Sequence, residues 1–299
     1  MSPSFSAARK MRENIVRALS PALKRRVANR VLVALAPTDV ALLRLEGTLR
    51  PRVVEKRVLV CDPVEGAEPW RGAVSSLSAV AAELKNTRAR VTVVLSNHFV
   101  RYALVPAAER LDRPEEQLAF AQYQFARIHG ERSKSWKIRL STAPAGAARV
   151  ASAIDSGLLE KIEACFPPDG KARLVSVQPY LMSAFNCWRD AVPASGAWFL
   201  LVEPQRSCLA LIEDGRWTAL RNTRGEFDDL EQWAELLDRE RHLAAGAQAP
   251  RNVLVHARDS WKVAATEAGG WNFSSLAFAP MGGLTAEDSA PFDLALCAR

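Results

Sequence analysis

The length of 299 residues predicts about two domains, and 48% hydrophobic with 24% charged residues is the balance of an ordinary soluble globular protein. The most apolar segment, residues 31 to 45, is interrupted by Pro37, Asp39 and Arg44, which argues against a membrane-spanning helix. The five cysteines form no CxxC pair and none lies at metal-ligand spacing from a histidine, so we expect buried free thiols and no metal site.

The N-terminal segment, residues 1 to 30, carries the entire net charge of +7. It contains eight basic residues and one acidic residue, whereas the remainder has 32 of each. Apolar residues recur at every fourth position, so a helix would place them in one stripe beside a basic face. Ser20 followed by Pro21 restarts the pattern, because serine caps a helix and proline suits its first position. We therefore predict two short amphipathic helices.

These two helices have three open interpretations. The apolar stripe docks on the rest of the chain or on a partner, the basic face holds an anionic membrane surface, or the arginines bind nucleic acid. The neutral remainder offers no second basic patch, which argues against nucleic acid. The candidate residues for contact with a membrane or a partner are Arg9, Lys10, Arg12, Arg17, Lys24, Arg25 and Arg26.

After residue 30, strands and helices are predicted in an order that repeats. Runs of apolar and β-branched residues predict three strands, a helix and a strand at residues 31–36, 39–45, 53–60, 72–84 and 91–95. The same order recurs about 165 residues later, at residues 198–202, 207–212, 217–221, 226–241 and 252–256. Thr223 and Glu226 have the spacing of a capping box at the start of the second helix.

Between the repeats, further elements complete the first half. Strands are predicted at residues 99–105, 136–141, 149–154 and 174–177, and helices at residues 112–128, 157–165 and 180–189. The small and polar residues Pro193 to Gly196 predict a boundary, which divides the chain into residues 1–30, 31–192 and 193–299. The predicted fold class is a mixed α/β protein whose two halves face each other across a cleft.

Three polar residues, Ser96, Asn97 and His98, separate two of the most strand-like runs. Such a triplet suits a tight bend at a strand end, since asparagine tolerates unusual backbone angles. His98 is also a candidate proton-transfer group, but no carboxylate or nucleophile lies close to it in sequence. We therefore favour the bend.

The duplicated pattern of three strands, a helix and a strand resembles the actin-like ATPase superfamily, whose two halves clasp a nucleotide. A second likeness comes from LSNHFVRYALVP at 95–106, PEEQLAFAQYQF at 114–125 and WKIRLS at 136–141. These motifs resemble the cytoplasmic domain of the GspL proteins of type II secretion and the related pilus-assembly proteins PilM and MshI. The likeness in sequence covers residues 30 to 145, and the second half agrees in pattern. It implies a duplicated actin-like, ribonuclease H-like fold.

Active members of that superfamily hold phosphates with the first hairpin turn of each half, using an Asp-x-Gly type sequence. Glycine lets backbone N–H groups approach the phosphates, and the carboxylate handles Mg²⁺. Here the two turns read ALAPTDVALL and LVEPQRSCLAL, with a proline and no glycine in each. We therefore expect no catalysis and no cofactor. If ATP and Mg²⁺ bound, the candidate residues would be Asp39, Glu203, Gly282 and Gly283.

The resemblance implies a non-catalytic cytoplasmic scaffold in the assembly platform of a type IV pilus or type II secretion machine. Such a protein lies at the inner face of the bacterial inner membrane, binds an inner-membrane partner and relays to a motor ATPase. The alternative is an active ATPase or kinase of the same superfamily that uses the cleft, with Asp39 and Glu203 as metal-linked carboxylates.

Overall fold

The computed structural model describes residues 29–48, 50–62, 64, 66, 68–107, 113–144, 146–225, 229–244, 249–257, 266–285 and 287–299. The predicted basic helices fall on residues 1–28, and the predicted capping box depends on Glu226, so both lie outside the described residues. The division of the chain at residue 193 stays a prediction. None of the described helices combines the length and the apolar composition needed to cross a bilayer.

Five strands form the first sheet. In the spatial order β3-β2-β1-β4-β8, they are β1 (Arg30–Leu35), β2 (Asp39–Glu46), β3 (Arg52–Val60), β4 (Ala89–Leu95) and β8 (Ala172–Pro179). The central strand β1 pairs antiparallel with β2 and parallel with β4. Its residues are leucine, valine and alanine almost throughout, which suits a strand that is covered on both faces.

The second sheet repeats this order. It consists of β9 (Ala197–Glu203), β10 (Arg206–Glu213), β11 (Arg216–Arg224), β12 (Asn252–Ala257), β13 (Thr266–Ala268) and β14 (Trp271–Ser275). The spatial order is β11-β10-β9-β12-β14-β13, so its first five strands match the first sheet position by position. The predicted duplication of three strands, a helix and a strand is confirmed, whereas the short strands β13 and β14 were not predicted.

A third, smaller sheet is inserted between β4 and β8. Its strands are β5 (Val100–Val105), β6 (Trp136–Leu140) and β7 (Arg149–Asp155), in the antiparallel order β5-β7-β6. Helix α2 (Pro114–His129) packs on this inserted sheet through the buried residues Ala121 and Phe125. Ile128 lies at helical spacing from Ala121 and Phe125 on an apolar stripe of the sequence but is 70% exposed, so the buried part of the stripe ends before it.

Helices cover the outer face of each large sheet. Helices α1 (Arg71–Leu84) and α3 (Ser156–Cys165) bury leucine, valine and isoleucine side chains on the first sheet. Helix α5 (Leu230–Ala244) buries Trp233 and Leu237 on the second sheet. Each such side chain contributes about 1.5–3 kcal/mol of transfer free energy when fully buried. The two outer cores therefore stabilise the halves separately.

The central core joins the two halves. Helix α4 (Tyr180–Trp188) lies in one cluster with the inner faces of both large sheets and with the short C-terminal helix α6 (Asp293–Leu296). Tyr180, Leu181 and Ala184 of α4 are completely buried there. A helix that is apolar on nearly every side needs cover on nearly every side. Helix α6, near the C-terminus, thus packs in the same cluster as strands β1 and β2 from the first part of the chain.

Candidate functional site

Two hairpin turns occupy equivalent places in the repeat. The first joins β1 to β2, and the second joins β9 to β10. In each half, the residue after the third strand donates its backbone N–H to the turn. Cys61 N donates to Thr38 O at 2.8 Å, and Gly225 N donates to Gln205 O at 3.2 Å. These are the turns at which the sequence predicted degraded phosphate loops.

The first turn holds the predicted carboxylate Asp39. Asp39 is 8% exposed, and the hydroxyl of Thr38 donates to its Oδ2 at 3.1 Å. The backbone N–H of Ala36 closes the turn by donating to Asp39 O at 3.0 Å. Pro37 lies between them and has no N–H to offer a phosphate.

The second turn holds the predicted carboxylate Glu203, which binds the other half. The hydroxyl of Ser96 donates to Glu203 Oε2, and the backbone N–H of Asn97 donates to Oε1 at 2.9 Å. Glu203 is 4% exposed, and both Ser96 and Asn97 are completely buried. Charge-assisted hydrogen bonds of this kind make a buried carboxylate tolerable. Both carboxylate oxygens are thereby engaged by donors of the chain itself.

His98 adds a second link between the same segments. Its Nε2 lies 2.8 Å from Pro204 O, and its backbone N–H donates to Ser96 Oγ at 3.1 Å. Burial, followed by the positive charge of Arg206, lowers the pKa of His98 to about 4. The imidazole is therefore neutral near pH 7, and Nε2–H donates to the Pro204 carbonyl. Ser96, Asn97 and His98 together with Glu203 and Pro204 are called the Ser-Asn-His tie below.

The tie extends to the central helix. Tyr102 on β5 donates its hydroxyl proton to Asn97 Oδ1 at 2.8 Å and accepts the backbone N–H of Leu181 at 3.3 Å. Burial raises the pKa of Tyr102, so its phenol stays protonated. The predicted bend at residues 96–98 is confirmed as a turn, and its side chains connect β4, β5, α4 and the second hairpin turn.

The predicted glycine pair packs against strand β3. Val53 N donates to Gly282 O at 2.7 Å, and Gly283 has φ +85°. A Cβ on Gly283 would lie 2.1 Å from Val53 O, which no side chain tolerates. Gly283 is therefore required for this close contact between two backbone segments. A role of either glycine in nucleotide binding stays a prediction, as do the corresponding roles of Asp39 and Glu203.

The end of β12, where the sequence lacks the glycine expected near an adenosine, is filled by aromatic rings. His256 is 1% exposed, and its ring lies 4.3 Å from that of Trp188 and 5.6 Å from that of Phe278. Burial lowers the pKa of His256 to about 4. The neutral ring donates from Nδ1 to Leu276 O at 3.0 Å.

The described part of the chain contains no group of three or more His, Cys, Asp and Glu residues that could hold a metal ion. Asp39 and Glu203 belong to separate hydrogen-bonded turns, and Glu203 points its oxygens at Ser96 and Asn97. This arrangement joins the two halves through Glu203.

A groove of about 920 Å³ lies between the first sheet and the inserted sheet. Strand β8 is the last strand of its sheet and β6 the last of its own, and both line this groove together with α3. Apolar side chains in the lining include Ile138, Leu159, Phe166, Val175 and Val177. Charged side chains of both signs accompany them, namely Lys137, Arg139, Glu160, Glu163 and Arg173.

Sequence reasoning found both turns and the Ser-Asn-His triplet but missed that they contact each other. The partner of Ser96 and Asn97 is 106 or 107 residues away in the chain, so no local pattern could reveal it. The groove was also missed, because its two walls come from separate parts of the chain. Strand β6 begins at Trp136 and strand β8 begins at Ala172, 36 residues later. The predicted contact residues Arg9 to Arg26 lie outside the described residues.

No protein-family model matches the chain, and no curated protein matches it in sequence. Many solved structures resemble it in fold. A PilM-PilN type IV pilus biogenesis complex matches with a TM-score of 0.59 and 15% identity, over 90% of this chain and 97% of that chain. A Bacteroides thetaiotaomicron protein with an actin-like ATPase fold and unknown function matches with a TM-score of 0.55 and 11% identity, over 80% and 85%.

The third structure is the cytoplasmic domain of EpsL, an inner-membrane component of the Vibrio cholerae type II secretion system. It matches with a TM-score of 0.52 and 11% identity, over 91% of this chain and 94% of that chain. At these identities the likeness shows the fold. The protein has an actin-like fold over most of its length, as its duplicated sheets indicate.

Proposed function

We propose that this protein is a non-catalytic scaffold of a pilus or type II secretion assembly platform, which binds the cytoplasmic segment of an inner-membrane partner and relays to a motor ATPase. The likeness in fold to the PilM-PilN complex and to the cytoplasmic domain of EpsL supports this context. We place the protein on the cytoplasmic side of the inner membrane for the same reason.

The observation that carries the proposal is the groove with two free strand edges. Strands β8 and β6 each have a neighbour on one side only within their sheets. An extended peptide can therefore add as a strand to either edge, with backbone hydrogen bonds giving affinity and apolar pockets giving specificity. Val175 is 47% exposed on β8 and provides an apolar contact for such a peptide.

The hairpin turns support the non-catalytic part of the proposal. Both carboxylate oxygens of Glu203 accept hydrogen bonds, one from Ser96 and one from Asn97. These bonds favour a role of Glu203 in the contact between the halves over a role in metal binding. Proline in each turn removes a backbone donor that a phosphate would use. The same fold can therefore serve for binding without turnover.

A capture experiment tests the groove. The wild-type protein and a Val175→Arg variant are immobilised and exposed to detergent-solubilised inner membranes, and captured proteins are identified by mass spectrometry. We expect an inner-membrane assembly protein with the wild type and at least a tenfold loss with the variant. The matched control is Val60→Arg, at an 85% exposed position on β3 at the opposite edge of the same sheet. Equal capture by Val175→Arg and the wild type would show that the partner does not bind in the groove.

A second experiment tests the absence of nucleotide chemistry. The protein is titrated calorimetrically with Mg-ATP beside a blank and an Asp39→Ala variant. We expect no heat and no thermal shift at millimolar nucleotide. Micromolar binding that disappears in Asp39→Ala would support the alternative, an active ATPase that uses the cleft.

The basic N-terminal segment is the proposed peripheral membrane contact. Its eight cations within 30 residues would be attracted to anionic headgroups. Deletion of residues 1 to 29 should therefore reduce co-sedimentation with liposomes that contain anionic lipid, and it should have no effect with neutral liposomes. Unchanged co-sedimentation after the deletion would refute this part of the proposal.

A further inference from the structure

A depression of about 410 Å³ lies between helices α1 and α3 on the outer side of the first sheet. Small side chains from both helices line it, namely Ser78, Ala81, Ala82, Ala164 and Cys165. Protein interiors are close-packed, so short side chains on both facing helices leave space that the helices themselves do not fill. Ser78, Ala82 and Ala164 are exposed, which shows that the space opens to solvent. It is called the helix depression below.

The floor of the helix depression is apolar. Val74 is 8% exposed there and Ala172 is 5% exposed. The hydroxyl of Ser78 donates to Val74 O at 2.9 Å and lies 3.3 Å from Cys165 Sγ on the facing helix, so it is already engaged. A ligand would gain free energy here by burying apolar side chains, at about 25 cal/mol for each Å² removed from water.

Three exposed lysines also line the helix depression, and its lining contains no acidic side chain. They are Lys85, Lys161 and Lys171. Among the residues that the structure describes, no carboxylate forms an ion pair with any of these lysines. Glu83, close to Lys85 in sequence, pairs instead with Arg57 at 2.8 Å. The potential around the apolar floor is therefore positive, which attracts an acidic ligand.

The basic N-terminal segment of this chain does not match the helix depression. Residues 1–28 contain seven basic residues and a single acidic residue, Glu13, so the three lysines would repel most of this segment. A flat bilayer surface could meet the lysines but would not reach the buried floor at Val74 and Ala172. A narrow ligand with both apolar and acidic groups matches the floor and the lysines together.

We propose that the helix depression binds an acidic amphipathic helix of a protein partner. Apolar side chains at spacings of three and four residues would enter the depression from one face of such a helix, as in other grooves that bind helices. Acidic side chains beside them would pair with Lys85, Lys161 and Lys171. The exposed charges would raise the association rate and select the partner, while the apolar contact would supply most of the affinity.

The helix depression is separate from the groove between β6 and β8. The two linings share no residue. They also use different faces of α3, because Glu160 and Glu163 line the groove whereas Lys161, Ala164 and Cys165 line the depression. Two partners could therefore bind at the same time, and either site can fail without the other.

The test uses a synthetic peptide with leucine at helical spacings and with glutamate and alanine elsewhere. A peptide with lysine in place of glutamate is the charge control. Binding to the full chain is followed by calorimetry and by the rate at which iodoacetamide alkylates Cys165, measured by mass spectrometry. Cys187 on α4 is the internal reference, since it is also partly buried but lies in the central core. We expect the acidic peptide to slow alkylation of Cys165 at least tenfold and to leave Cys187 unchanged.

Two variants separate charge from shape. Lys85→Glu/Lys161→Glu should weaken the Kd of the acidic peptide at least tenfold, because it reverses two of the three charges. The matched control Arg127→Glu/Arg132→Glu changes the net charge equally at exposed positions of the inserted region and should bind as the wild type does. Ala164→Arg adds a positive charge but fills the depression, so it should also weaken binding at least threefold.

The alternatives predict different outcomes. Failure of the acidic peptide to bind, equal binding of the lysine peptide, or equal weakening by the two double variants would refute the proposal. Stronger binding by Ala164→Arg would show that charge acts without the depression and would also refute it. Protection of Cys165 by anionic phospholipid vesicles but not by the peptide would assign the surface to a membrane. Protection that rises with protein concentration alone would assign it to a second copy of the chain.

Discussion

The two hairpin turns share a backbone arrangement and differ in their side-chain contacts. Both receive the same backbone hydrogen bond from the residue after the third strand of their half. In the first turn, Thr38 donates to its sequence neighbour Asp39. In the second turn, Glu203 and Pro204 accept hydrogen bonds from Ser96, Asn97 and His98 of the other half.

This difference shows how one repeated element can take two tasks. In an actin-like fold both turns lie at the cleft, where active members place phosphates. Here the second turn accepts hydrogen bonds from the other half, so the Ser-Asn-His tie joins the two halves through side chains and backbone groups of the chain itself.

Removal of the Glu203 carboxylate should give the largest effect. Glu203→Ala leaves the Ser96 hydroxyl and the Asn97 N–H buried without an acceptor, which should lower the free energy of unfolding by about 3 kcal/mol. Urea titration at pH 7.5 measures this loss as a shift in midpoint at constant slope. Glu213→Ala, at the other end of β10, is the control and should cost less than about 1 kcal/mol. Equal losses in the two variants would mean that the tie contributes little.

Acid should weaken the tie through His98. Because the pKa of His98 is lowered to about 4 in the folded protein, the unfolded chain takes up the proton first as pH falls below 6.5. The contribution of His98 to the free energy of unfolding is therefore constant above pH 6.5. It falls between pH 6.5 and pH 4, and at pH 5 it is lower by about 2 kcal/mol. His256, with its pKa also lowered to about 4, should add a similar loss.

A variant separates the contribution of His98 from that of other groups. His98→Gln should reduce the loss of stability between pH 7.5 and 5 by about 2 kcal/mol. His242→Gln, at an exposed position on α5, should leave the loss unchanged. The comparison is made by urea titration at the two pH values. A pH dependence of His98→Gln identical to that of the wild type would exclude His98 as an acid-sensitive contact.

The backbone of the second turn should give the smallest effect. Gln205 has φ 56°, a left-handed conformation that costs most side chains about 1 kcal/mol, so Gln205→Gly should raise the free energy of unfolding by about 0.5 kcal/mol. Asp214 also has a positive φ of 50°, but aspartate tolerates that region, and Asp214→Gly should gain less. Thermal unfolding of the two variants checks the order. A greater gain in Asp214→Gly would contradict the assignment of strain to Gln205.

Local patterns in the sequence predicted most of the secondary structure. The runs of apolar and β-branched residues at 31–36 and 53–60 identified β1 and β3 to within one residue, because such residues favour strands locally. Strands β13 and β14 were missed because they are short and carry polar residues, such as Thr266, Glu267 and Asn272, in place of an apolar run.

Contacts between distant segments could not be predicted in the same way. Ile128 continues an apolar stripe in the sequence of α2 and yet is exposed, since it lies outside the buried cluster that Ala121 and Phe125 form with the inserted sheet. Nor does the separate local sequence of each segment indicate that Ser96 lies beside Glu203. Such contacts depend on how the sheets are arranged and not on residue order alone.

The sequence alone determined the duplicated order of elements, the neutral body with a basic N-terminal segment, and the loss of glycine from both turns. These features depend on periodicity, charge count and turn chemistry, which are properties of neighbouring residues. The tertiary structure alone decided that Glu203 binds Ser96 and Asn97, and that β6 and β8 enclose a groove. Each of these joins residues far apart in the chain, and only the packing of the sheets brings them together.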